Sequence, residues 1–164
     1  MTGHYRVGLG RDLHRLVPGR RFMLGGVRLE AAFGEDGHSD GDALCHAVID
    51  ALLGAAGLGD IGEFFPPDDL AWKDGDSLEF LKTCARAVKR AAWRIVNIDC
   101  VVSCERPAVL PYRDAIRLSL SRTLDIPKEA VFVKGKSGEG LGDVGEGRAV
   151  EAVAVCLLEK EAEK

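Results

Sequence analysis

The sequence predicts an α+β fold, a mixed β-sheet with helices packed on one face, and three observations predict it. One long apolar run reads as a buried helix, two further segments carry helical spacing, and β-branched stretches near both ends and in the middle read as strands. With 46% hydrophobic and 29% charged residues, a chain of 164 residues suits a single domain, 1–164, with a core of its own.

The run from His4 to Gly10 is strand-like and gives way to loop. RRFMLGGVRLE (20–30) reads as two short strands broken at Gly25 and Gly26, and AAFGEDGHSDG after it as loop. From Asp40, a fair N-cap, the almost wholly apolar DGDALCHAVIDALLGAAG forms a helix that ends at Gly57. The stretch 58–76 is loop with at most a short helical turn, because Pro66 and Pro67 interrupt any longer pattern. A second helix runs from Ser77 to Trp93, with Leu78, Leu81, Ala85, Val88 and Ala92 as its apolar stripe and Lys82, Arg86, Lys89 and Arg90 as its solvated side. Residues 94–105 are β-branched and strand-like, and a third helix starts near Pro107 and reaches Leu124. VFVKGK (131–136) is a strand entering a glycine loop, and the alternating tail from Arg148 to Leu158 is a last strand. The order is β-β-β-α-α-β-α-β.

Composition excludes several functions. The amino end carries no apolar run suited to a signal peptide or membrane span, so the expected place is the cytoplasm and no membrane partner is expected. Five cysteines form no CxxC pair and sit mostly in apolar surroundings, which argues against disulfides and thiolate zinc. A net charge of −4 with scattered basic residues lacks the footprint of a nucleic-acid binder. Many of the 20 glycines fall in two loops, GHSDG and GEGLGDVGEG, of a kind that often holds phosphates.

Asp12 and His14, two positions apart on an extended segment, point to the same face. Asp42, His46 and Asp50 recur every fourth residue as a polar stripe on the apolar helix. Together Asp12, His14 and His46 offer one carboxylate and two imidazoles, a three-donor set that suits catalytic Zn²⁺ or Mn²⁺, and Asp42 or Asp50 is placed to orient the ring of His46. The bland alternative is a strand end with solvated polar residues. GHSDG matches the G-x-S-x-G of a hydrolase elbow around Ser39. The only later histidine, His46, lies along the same predicted helix about 10 Å of rise from its start, out of reach of Ser39. His38 and Ser39 serve better beside the helix N-terminus, offering an imidazole and a hydroxyl to an anion. GLGDVG is a literal G-x-G-x-x-G, yet the chain after it reads as strand rather than the helix a dinucleotide site requires. Lys136, Ser137 and Glu139 at its entrance could handle phosphate and a hard cation such as Mg²⁺, or form a plain turn.

The ordered set GLGRDLH, HSDGDALCHAVIDALLGAAGLGDIGEFFP, Asp76-Ser77, ERPAVLP and VKGKSGEGLG resembles the 2-C-methyl-D-erythritol 2,4-cyclodiphosphate synthase family of the non-mevalonate isoprenoid pathway. The resemblance covers nearly the whole chain and implies a homotrimer with active sites between subunits. It implies a Zn²⁺- or Mn²⁺-type metal on Asp12, His14 and His46 and a Mg²⁺-type metal near Glu139. By the same resemblance His38 and Ser137 stabilise the transition state, Ser137 standing where threonine is more usual. Asp60, Ile61 and Gly62 match the ribose-binding segment, and the stretch from Cys104 through Pro107 and Val109 to Leu110 matches the wall around cytosine. Asp12, His14, His38, Ser39, Gly135, Lys136, Ser137 and Glu139 complete the implied substrate contacts. The chain departs from the family pattern at Pro67, Ala108, Asp143 and Glu146. The implied activity closes the 2-phosphate of 4-diphosphocytidyl-2-C-methyl-D-erythritol 2-phosphate onto its diphosphate and releases CMP. A metal-dependent nucleotide phosphohydrolase, or a nucleotide-binding module, is the alternative that the same residues could serve.

Overall fold

In the computed structural model, which describes residues 4–37, 39–66, 68, 72 and 75–160, a five-stranded sheet has the order β4-β1-β7-β5-β6. Its strands are β1 (Tyr5–Pro18), β4 (Phe33–Asp36), β5 (Trp93–Ser103), β6 (Val131–Lys136) and β7 (Ala149–Lys160). β5 and β6 run parallel and the other neighbours antiparallel, so the sheet is mixed as expected. β2 (Phe22–Leu24) and β3 (Val27–Leu29) make a separate two-stranded ribbon, turned at Gly25 and Gly26, which both have positive φ. The helices are α1 (Ala43–Ala56), α2 (Ile61–Phe64), α3 (Ser77–Arg90), α4 (Arg113–Leu124) and the single turn α5 (Gly142–Gly145).

α1 carries the core. It is buried at eleven of its residues, Ala43 to Ala56, and lies across β1 and β7 while α3 packs against it and α4 covers β6. Glycine lets it come close. A Cβ at Gly8 would fall on the Ala51 carbonyl, and one at Gly10 on the Ala47 carbonyl, so only the bare backbone of β1 admits α1 at this distance. Arg6 then closes the helix end, its guanidinium donating to the Ala55 and Ala56 carbonyls, and Gly57 ends it in the left-handed conformation.

The other face of the sheet is bare. Alternate residues of β1 point away from α1, and Val7 and Leu9 are 70% and 68% exposed, with Val155 of β7 and Phe132 of β6 on the same side. Among the described residues no helix is long and apolar enough to cross a membrane.

Several boundaries differ from the sequence reading. β1 does not stop at Gly10 but pairs with β7 from Tyr5 to Arg15, carrying Asp12 and His14 within a strand. Polar side chains hid that continuation: Arg11 is paired across the strands with Glu151, and Asp12 and His14 are paired with each other. Phe33–Asp36, expected as loop, is β4 and pairs with the end of β1. Asp42, not Asp40, caps α1, accepting from the Cys45 amide and also from the Gly25 and Gly26 amides. α3 ends at Arg90 because the chain turns at Ala92, which has positive φ, and Trp93 already belongs to β5. α4 starts at Arg113 rather than near Pro107, after a 3₁₀ turn at Leu110–Tyr112. The departure at Pro67 lies outside the described residues.

Candidate active site

Asp12 and His14 stand on the helix-side face of β1, and His46 stands in the first turn of α1. Each offers one donor atom to a common point, and the three atoms lie within 4.8 Å of one another. Asp12 Oδ2 is 3.0 Å from His14 Nε2 and 2.9 Å from His46 Nδ1. The remaining ring nitrogens are occupied from behind. His14 Nδ1 lies 2.6 Å from the Gly41 carbonyl and 2.9 Å from Glu35 Oε2. His46 Nε2 lies 3.0 Å from Ser77 Oγ and 3.2 Å from Ser39 Oγ, and Ser77 in turn donates to Asp40. Both imidazoles are thus held with one nitrogen turned inward.

The donor set fits a divalent cation. One carboxylate and two imidazoles converge, no lysine or arginine is paired to the Asp12 carboxylate among the described residues, and both rings are fixed in the required sense. Burial pushes the Asp12 carboxyl up, but its hydrogen bonds with His14 and His46 outweigh that and hold it well below the usual carboxylate range. Burial alone would lower His14, yet its hydrogen bonds with Asp12 and Glu35 raise it to about 10. Glu35 is raised to about 8, chiefly by burial.

Neither aspartate on the α1 stripe orients His46, contrary to expectation. Asp42 is fully buried as the cap of α1, and Asp50 accepts from the Ile61 amide. The second contact still matters, because it ties the Asp60–Gly62 segment to α1 one turn beyond His46. Asp60 caps α2 by accepting from the Glu63 amide. The expected separation of Ser39 from His46 also fails. α1 begins at Ala43, so His46 is one turn in, and the preceding loop folds back until Ser39 touches its ring.

A second group of predicted residues gathers where β5 and β6 end. The Cys104 amide donates to the Lys136 carbonyl, Cys104 Sγ donates to the Arg106 carbonyl, and burial pushes that thiol up to about 11. Val109 packs onto Gly135, where a Cβ would crowd it at 2.8 Å. Pro107 follows a cis peptide, and Leu110 is exposed. Ser137 and Glu139 are joined by a 3.3 Å side-chain hydrogen bond, and the Gly138 amide donates to Glu105. Among the described residues no hydrogen bond or ion pair joins this group to the Asp12 cluster. His38 lies outside the described residues. A cavity of about 540 Å³ opens between the two arginines Arg20 and Arg21 and the loop residues Ser39 and Asp40, a volume suited to a small ligand. A groove of about 600 Å³ along α3 and α4 touches none of these residues.

A family model described as YgbB family matches residues 5–159, nearly the full chain. The chain belongs to the YgbB family. A relative from Treponema denticola, named 2-C-methyl-D-erythritol 2,4-cyclodiphosphate synthase, is 55% identical over 93% of this chain and 95% of its own. A solved structure, 2C-methyl-D-erythritol-2,4-cyclodiphosphate synthase in a CDP-bound form, superposes with a TM-score of 0.86 at 40% identity, covering 93% of this chain and 99% of its own. The bifunctional IspDF from Campylobacter jejuni superposes at 0.94 with 33% identity, covering 98% of this chain and 43% of its own, so this YgbB chain matches less than half of that protein.

The sequence reading missed Glu35, Asp40 and Ser77 as supports of the metal-type cluster. Ser77 had a signal, since the Asp76-Ser77 pair is part of the family resemblance; Glu35 had none beyond its place in a glycine-rich loop.

Proposed function

We propose that the chain is a cyclising phosphorus–oxygen lyase, converting 4-diphosphocytidyl-2-C-methyl-D-erythritol 2-phosphate to 2-C-methyl-D-erythritol 2,4-cyclodiphosphate and CMP in isoprenoid biosynthesis, in the cytoplasm. The observation that carries this reading is the convergence of Asp12, His14 and His46, in a chain 55% identical to a synthase of that name.

In the reaction a substrate phosphate oxygen bonds to the β-phosphorus and the bond from that phosphorus to the CMP oxygen breaks. The nucleophile is already an anion, so no side chain has to remove a proton. Bound at Asp12, His14 and His46, Zn²⁺ or Mn²⁺, with Mg²⁺ near Glu139, supplies positive charge to phosphoryl oxygens that otherwise repel. The chain holds the donors. Glu35 and the Gly41 carbonyl fix His14, while Ser39, Ser77 and Asp40 fix His46. His38 and Ser137 are assigned to the developing charge. Ser39 is a further substrate contact, and Asp60, Ile61 and Gly62 take the ribose. Cys104, Pro107, Val109 and Leu110 wall the cytosine, and Gly135, Lys136 and Glu139 line the diphosphate path.

A homotrimer with sites between neighbouring copies accounts for the bare sheet face. Exposed Val7, Leu9, Leu13, Phe132 and Val155 offer an apolar surface that a second copy can cover. It also accounts for the lack of bonds, among the described residues, between the Asp12 cluster and the Cys104 group.

One observation favours a rival. Ser39 Oγ, His46 Nε2, His46 Nδ1 and Asp12 follow one another at 3.2 and 2.9 Å, the spacing of a serine hydrolase triad. Against it, Ser39 is buried and its oxygen already accepts from the Gly41 amide, and Asp12 is shared with His14. One assay decides. Incubation with the cytidyl substrate, Mg²⁺ and Zn²⁺ or Mn²⁺ gives CMP plus a cyclic diphosphate on the proposed reading and an open-chain product from a phosphohydrolase. Turnover that survives full chelation and is lost in Ser39→Ala would support the triad.

A further inference from the structure

Glu35 is fully buried on β4, an ionisable side chain among the core residues beneath α1. Its Oε2 accepts from the Ala43 amide at 2.8 Å and sits 2.9 Å from His14 Nδ1, while Oε1 has no hydrogen-bond partner. A single oxygen therefore ties the ligand strand β1 to the first residue of α1, the helix that carries His46. Arg20 steadies the same segment, donating from Nε to the Glu35 carbonyl and from Nη2 to the Gly37 carbonyl. Burying a carboxylate with a spare oxygen is unfavourable unless its partner repays it, and the partner here is a metal-type imidazole.

We propose that Glu35 is a positioning residue for the metal centre. As the carboxylate it accepts a hydrogen bond from His14 Nδ1, which fixes Nε2 as the donor facing Asp12 and His46, and in that ionised form its charge raises the donor strength of the ring. The inference rests on the reading of Asp12, His14 and His46 as ligands. Glu35 touches no substrate and belongs to none of the residues that the family resemblance assigns.

The competing account is the Gly41 carbonyl, 2.6 Å from the same nitrogen, which would fix the tautomer without any carboxylate. Glu35→Gln separates the two, since an amide oxygen can still accept from Ala43 and His14 but brings no charge. Zn²⁺ and Mn²⁺ alone are titrated into the metal-stripped full chain against a competing chelator. Wild type binds tightly, His46→Ala loses that binding, and Glu35→Gln weakens it by about 10- to 100-fold. A folded Glu35→Gln chain with a Kd within about twofold of wild type overturns the role of Glu35 and leaves the ligand reading standing. Binding unaffected by His46→Ala overturns the ligand reading and the inference with it. A second measurement needs no variant: histidine ¹⁵N resonances of the zinc-loaded wild type show His14 coordinated through Nε2 with Nδ1 protonated, and coordination through Nδ1 overturns the proposal.

Discussion

Replacing Gly10 by alanine drives a methyl carbon onto the Ala47 carbonyl of α1, and the atom it meets is backbone. No rotamer change relieves it. To restore ordinary contact, the helix must retreat from β1 by more than about 1 Å. Overpacking of this kind destabilises by roughly 1–3 kcal/mol. For a domain of this size that lowers the melting temperature by about 2 to 12 °C. The effect on the site is larger in proportion. Asp12 rides on β1 and His46 on α1, and metal–ligand distances tolerate only about 0.2 Å. At a free-metal level of 100 times Kd, wild type gains about 2.7 kcal/mol from the bound ion. That corresponds to a rise of roughly 5 to 11 °C, and in the variant it shrinks below about 2 °C. The assay is thermal unfolding with excess Zn²⁺ and with chelator, on wild type, Gly10→Ala and Gly54→Ala. Gly54 lies within α1 with no atom within 4 Å of an added Cβ, so its variant gains up to about 1 kcal/mol and keeps the full metal shift. A Gly10→Ala chain that melts within about 1 °C of wild type and keeps the full shift would refute the reasoning.

Ser137→Ala lowers turnover by about 10²-fold while Ser137→Thr, which keeps the hydroxyl, retains it; steady-state rates check this, and an unaffected alanine variant removes Ser137 from the mechanism. In the metal-free chain, His14 is raised from 6.5 to about 10, so its stabilisation is complete below about pH 6.5 and is lost as pH climbs through about 10. Glu35, raised from 4.5 to about 8, favours the folded state only while protonated, so it works in the same direction between those values. Melting temperature therefore falls from pH 6 to 10, and a flat or rising curve contradicts the assignment. On the proposed trimer, two inactive variants, His14→Ala and Leu110→Arg, regain activity when their subunits are exchanged, because some interfaces would then pair an intact metal side with an intact cytosine wall. Verified mixed trimers that stay inactive place the whole site within one chain.

The long elements were legible because their patterns are strong: the apolar α1 run and the stripe of α3 read as helices, and the alternation in β7 favours a strand although its alanines and glutamates would also accept a helix. What escaped was decided by partners far along the chain. β1 looked finished at Gly10 because Arg11, Asp12 and His14 are polar, and only the backbone ladder with β7, far along the chain, makes them strand residues. Asp42 outcompeted Asp40 as the cap because it also satisfies two amides of the β2–β3 turn, which local propensity does not contain. The Asp12, His14 and His46 set was readable from residue chemistry. Glu35 was not, since a carboxylate in a glycine-rich stretch reads as a solvated turn until β4 folds beneath α1.

β7, the last strand in the sequence, is the middle strand of the sheet, and Tyr5 pairs with Glu159. During synthesis, then, β1 and β5 are both made before the strand that separates and joins them exists. Until β7 is made, the β1 segment that bears Asp12 and His14 has only the short pairing of its end with β4 to rest on, and the remaining closure joins Tyr5 to Glu159. Such non-local pairing folds slowly for its stability. A chain cut before Ala149 would keep only the β1–β4 and β5–β6 pairings, without the strand that joins them into one sheet under α1.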